Sequence, residues 1–259
     1  MSLTAGVAGR TARSPRSPFS RIVSTAVAAG LLAGLALTAV QMVQVTPIIL
    51  QAEAYEDAAP APAAAVPAAH AHAEATPAHE HAHENEHAHE HAGWKPENGT
   101  ERTLYTVLAN ATMGIAYALL LCAALTVAGA RPTLRQGLLW GAASYVVFFV
   151  APSLGLPPEL PGTSAAPLGQ RQLWWSLTAL STAGGLALLA FGRHTAPRYI
   201  AGMILLVAPQ LIGAPQPLVH TRTAPAELVQ VFIVASALAN AAFWLVLGWF
   251  TAYFYKKFE

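Results

Sequence analysis

Eight imidazoles fall within 22 residues of one another: His70, His72, His79, His81, His83, His87, His89 and His91. Neutral imidazole is a good ligand for cobalt, nickel, copper and zinc. Rings spaced this closely on a pliable chain can wrap one ion with two to four nitrogens. The chemistry this predicts is capture of a divalent transition metal. The tract itself sets no preference among metals, because affinity follows the general rise toward copper. A solvated low-complexity linker has a similar look, but eight histidines exceed what a linker needs. The pattern H-E-x-x-H occurs twice, at residues 79–83 and 83–87. A zinc protease needs that motif on a rigid helix docked through an apolar face, and this segment has no such face, so the match is a by-product of repetition. No Walker A sequence occurs, and no enzymatic activity is expected.

The rest of the chain must hold this tract in place, and its composition says where. Of 259 residues 54% are hydrophobic and only 10% charged, against about 25% charged in a soluble domain. The net charge of +1 comes from scattered cations, which excludes a nucleic-acid partner, since neutralising phosphates takes a basic face. The single cysteine, Cys122, excludes a disulfide framework and a thiolate metal cluster. Six apolar stretches, at 22–50, 103–128, 136–152, 172–191, 199–213 and 227–255, are candidates to cross a bilayer that needs about 20 apolar residues per span. The fifth is short and contains Gly202 and Pro209. The expected fold is an all-α integral membrane protein of about six transmembrane helices, with five as the other count. Residues 1–21 form a tail, 22–50 the first helix, 51–101 a His/Glu-rich loop and 102–259 the membrane bundle. The loop's composition, broken by Pro60, Pro62, Pro67 and Pro77, predicts disorder until something binds it. The first apolar run is long for a signal peptide and reads as a retained helix.

Cations near membrane segments are retained in the cytoplasm. On six spans Arg10, Arg13, Arg16, Arg21, Arg131, Arg135, Arg193, Arg198, Lys256 and Lys257 share one side, against Lys95, Arg102, Arg171 and Arg222 on the other. Both termini are then cytoplasmic and the histidine tract extracytoplasmic, in the cell (inner) membrane. Twelve of the thirteen carboxylates join the tract outside, an arrangement that concentrates cations at the membrane. Among them Glu53, Glu56 and Asp57 continue the first helix and are placed to receive an ion from the tract. Glu159 is the lone acid of the rigid linker 155–162. No charged residue sits near the middle of any predicted span, so a path through the membrane would have to use amides: Gln41 and Gln44, then Asn110 on one face with Met113 and Tyr117, and Asn240. Interhelical hydrogen bonding is the commoner use of such groups.

The chain resembles the CbtA-type cobalt transporter subunits. The likeness lies in Gly30-Leu-Leu-Ala-Gly-Leu35 with Gln41, in Glu53-Ala-Tyr-Glu56 followed by the His/Glu loop, and in Glu101-Arg-Thr-Leu-Tyr-Thr-Val-Leu-Ala-Asn110. It continues through Gly137-Leu-Leu-Trp-Gly141, residues 151–162 ending Pro-Pro-Glu-Leu-Pro-Gly, and Arg171-Gln-Leu-Trp-Trp175. What the resemblance implies is cobalt uptake feeding cobalamin synthesis, a small single-helix CbtB-type partner, and five spans, one fewer than the charge pattern favours. No cofactor is expected beyond the divalent metal that is carried or bound, with cobalt favoured by the resemblance and nickel or zinc as the alternatives. The rival reading is a membrane-anchored metal sensor or storage protein that moves nothing.

Overall fold

The computed structural model describes residues 17–59, 96–192 and 195–259. All of these that form regular structure are helical. The eight tract histidines lie outside the described residues. We label the helices α1 (Pro18–Ala58), α2 (Thr100–Val127), α3 (Leu134–Ser153), α4 (Leu168–Ala190), α5 (Ala196–Ile212) and α6 (Ala226–Lys257). All but α5 are long and apolar enough to cross a membrane.

The first helix outruns its apolar stretch at both ends. Its start is set by Ser17, whose hydroxyl accepts from the Ser20 N–H at 3.2 Å, with Pro18 in the first turn where a missing N–H does no harm. Residues 51–58, which composition alone assigns to the loop, remain helical because Ala and Glu are strong helix formers. At 1.5 Å per residue its 41 residues reach about 60 Å, roughly twice the hydrocarbon thickness.

Two proline residues reshape the helices that contain them. Pro47 and Pro152 each lack the N–H that would bond four residues back, and each ring crowds that carbonyl. The preceding turn widens: Thr46 N–H donates to the carbonyl of Gln41, and Ala151 N–H to that of Val146, both five residues back. The results are π-turns at Gln41–Val45 in α1 and Val146–Val150 in α3, and both pack against α6.

Inside a bilayer lipid is as apolar as leucine, so helices associate through close contact at small residues. Helix α1 lies antiparallel to α2 and α6, and its buried face is made largely of small residues, Ala26, Ala29, Gly30, Ala33 and Gly34. A Cβ on Gly30 would stand 2.4 Å from the backbone nitrogen of Ile115, so the two backbones touch there. The α3–α6 contact repeats the device at Gly137, Gly141 and Gly248. Helices α4 and α5 form a hairpin against α3.

The count of crossings follows from which ends meet. Arg21 at the start of α1 bonds the Tyr255 hydroxyl at 3.0 Å and lies 3.6 Å from the Glu259 carboxylate, so the first and last helices share an end of the bundle, the terminal end. At the opposite, loop end, Ser164 N–H donates to the Thr221 carbonyl at 3.0 Å, joining the loops before α4 and α6. Helix α5 connects the two ends. Arg198 near its start donates to the last carbonyls of α4, and Gln210 near its finish donates to the Ala151 carbonyl at the loop end of α3. Its 17 residues give about 25 Å, slightly short of the hydrocarbon core. Five helices pass by length and composition, and the sixth still carries the chain across the bundle.

Candidate metal-transport site

Among the described residues, two of the sequence-selected ones hydrogen-bond to each other, and they meet at the first π-turn. Asn110, 7% exposed on α2, donates through Nδ2 to the Gln41 amide oxygen and, at 3.0 Å, to the Thr38 hydroxyl. Thr38 in turn donates to the Gly34 carbonyl at 3.0 Å. The approach of Gly34 to the Asn110 backbone sets this register. Gln44, three residues further along the π-turn, is exposed. Asn240 bonds back to the Ser236 carbonyl of its own helix at 3.0 Å. Met113 and Tyr117 pack against the core beside Asn110, and Tyr117, Phe148, Phe243 and Trp244 fill the space between α2, α3 and α6 with ring centroids 4.7 to 6.3 Å apart.

The acidic candidates sit at the loop end. Glu53 receives a two-pronged bond from Arg102, at 2.7 and 2.9 Å, and Arg102 also reaches Asn98 at 2.8 Å. Glu159 is held by Arg171 at 2.9 Å. In both pairs the carboxylate is engaged by a guanidinium, which fixes the helix ends and neutralises the anion. Glu56 and Asp57 lie one turn beyond Glu53, half-buried and exposed respectively. A cleft of about 610 Å³ runs between α1 and the start of α2, lined from Asn98 and Arg102 at the loop end past Leu50 and Thr46 to Met42 and Thr106. Neither Gln41 nor Asn110 lines it, so the cleft and the amide pair are separate features of the α1–α2 contact. Among the described residues no three His, Cys, Asp or Glu side chains converge to hold a metal ion.

Sequence reasoning missed Thr38, which completes the amide cluster, and Arg102 and Arg171 as the partners of the two glutamates. The signal for the last two was present, since each arginine and its glutamate fall on the same side of the membrane in the charge count. Thr38 carried none, because a threonine in an apolar helix more often bonds its own backbone. Replacing Asn110 by leucine removes both side-chain bonds and leaves the Gln41 amide oxygen unpartnered at depth. The expected loss is about 1–2 kcal/mol of stability, read as a lowered unfolding temperature in detergent, with Asn110→Gln recovering part of it.

Comparison with known proteins bears on this arrangement. No curated protein and no solved structure matches the chain. Residues 19–256 match the family described as "Probable cobalt transporter subunit (CbtA)", a stretch that runs from the start of α1 to the last turn of α6. With nearly the whole helical bundle inside the match, the chain belongs to the CbtA family of probable cobalt transporter subunits.

Proposed function

We propose that the protein is the membrane subunit of an importer for a divalent transition metal, cobalt in the first instance, and that the histidine tract captures the ion before it enters the bundle. Membership of the CbtA family carries this reading. In sequence the tract begins twelve residues after Ala58, the end of the helix that bears Glu53, Glu56 and Asp57. In this reading an ion released there meets the acidic turns of α1 and then the α1–α2 contact, in which the Gln41–Asn110 pair is the polar group at membrane depth. In this scheme Gln44, Glu159 and Asn240 stand beside the route rather than on it. Rigid α1 serves as the stalk that holds the tract at one mouth. The distribution of cations supports a mouth outside the cytoplasm with the termini within it, in the inner membrane. A subunit implies a partner, and a small single-helix CbtB-type protein is the one proposed. The imported metal would supply cobalamin synthesis, and the chain itself performs no covalent chemistry.

Radiolabelled cobalt accumulation tests the proposal, in metal-limited cells stripped of their own cobalt importers, with this chain and its partner expressed or absent. Accumulation that depends on this chain is expected. Cobalt bound by the purified protein with no accumulation in cells would replace transport by the sensor or storage reading.

A further inference from the structure

A cavity of about 790 Å³ opens at the terminal end between the α2–α3 turn and the last turns of α6. Its walls are apolar and aromatic: Pro132, Leu134, Ala252 and Tyr253. Its charged lining consists of Arg131, Lys256 and Lys257, with the side-chain carboxylate of Glu259. That carboxylate lies 3.4 Å from Arg131 Nε and 3.6 Å from Arg21, so it is already shared between two guanidiniums. Neither lysine has an ion-pair partner among the described residues. Arg131 is 84% exposed, and its remaining guanidinium nitrogens are open to a further anion. Two tyrosines, Tyr253 and Tyr255, line the same cavity, with Lys257 Nζ 5.6 Å from the Tyr253 ring. Aromatic side chains and lysines gather in this way where hydrocarbon gives way to headgroups.

We infer that this cavity is a binding site for an anionic phospholipid. The phosphodiester sits among Arg131, Lys256 and Lys257, and the start of an acyl chain lies on the apolar wall of Leu134 and Ala252. A zwitterionic lipid brings its own cation to the same place and is repelled by the excess positive charge. A free phosphate satisfies the cations but leaves the apolar wall unused, so lipid is the better occupant. Each cation near a membrane surface strengthens attraction to anionic lipid by about fivefold. Removing all three should therefore weaken retention by about a hundredfold.

The test is native mass spectrometry of the full chain from detergent with defined phosphatidylglycerol or phosphatidylcholine, paired with unfolding temperature. Wild type should keep about one phosphatidylglycerol per chain and release phosphatidylcholine. The variant carrying Arg131→Gln, Lys256→Gln and Lys257→Gln should lose it, with single Arg131→Gln intermediate. Arg135→Gln, at the second residue of α3 and outside the cavity lining, should behave as wild type. A normal size-exclusion profile of Arg131→Gln guards against a folding defect. Equal retention of the two lipids, undiminished retention by the triple variant, or equal loss in Arg135→Gln would overturn the assignment. Displacement of the lipid by the same concentration of inorganic phosphate would make the cavity a free-anion site instead.

Discussion

Gly30→Val should leave little folded protein in the membrane. The Cβ that any other residue adds at this position would meet the Ile115 nitrogen at 2.4 Å, the Ile115 Cα at 2.5 Å and the Gly114 carbonyl carbon at 2.6 Å, all of them backbone atoms. A side chain in the way can rotate aside. A helix backbone in the way can yield only if α1 and α2 separate along their length. Gly114 presents the same demand from the other side, since its own Cβ would stand 2.3 Å from the Gly30 carbonyl oxygen. Overpacking a well-filled core costs about 1–3 kcal/mol when neighbours can shift, and the upper end or beyond is expected where they cannot. The separation would also pull Gln41 from Asn110, because that bond lies further along the same contact. The measurement is the monodisperse fraction on size exclusion and the unfolding temperature of what survives. Gly169→Ala is the control, since nothing lies within 4 Å of the added carbon and a helical alanine replaces a helical glycine. An unfolding temperature for Gly30→Val within a degree or two of wild type would show that the α1–α2 contact does not govern stability.

Gly30 entered the sequence reading within the Gly30–Leu35 stretch that carries the family resemblance, but nothing there named Gly114 as its partner, because helix contact depends on register as well as composition. The same division recurs elsewhere. Hydropathy found the apolar helices, and the asymmetry of cations foresaw termini at a common end, which the contact of Arg21 with Tyr255 and Glu259 makes concrete. The length of α5 could not be judged in that way. Its 17 residues fall below the usual span, and it is carried across by anchoring at both ends through Arg198 and Gln210. Pro47 and Pro152 stood inside apolar stretches as plain residues. Their effect, a π-turn rather than a break, depends on the neighbours that hold the helix together on either side. The amides were selected because polar groups are scarce at membrane depth, a chemical signal with no spatial content. That scarcity is why Gln41 and Asn110 were recognisable while their joining, across 69 positions of sequence, was not. The histidine tract was the plainest feature of the sequence, and it falls outside the described residues.

Deleting residues 70–91 should reduce cobalt accumulation about tenfold when the metal is scarce, and by less than about twofold when it is abundant. The difference comes from effective concentration. Ligands tethered beside an entrance hold an ion at millimolar local levels when the bulk holds far less, and the advantage disappears once the bulk supplies ions faster than the bundle moves them. Acid should mimic the deletion. An imidazole must be neutral to donate its lone pair, so binding by the tract falls as pH drops through the ordinary histidine range near 6.5, and wild type should approach the deleted form below about pH 6. The deleted chain should show the smaller dependence on pH over the same interval. The bundle should be unaffected, because α1 ends at Ala58 and its last turns are tied to α2 by Glu53 and Arg102, both outside the deletion. Unchanged unfolding temperature checks that point. The informative plot is accumulation rate against free cobalt for both chains, at neutral and acid pH. A fractional loss equal at every concentration would mean that the tract acts in some step other than capture. No loss at all would leave the bundle as the whole importer and the histidines as a passive loop.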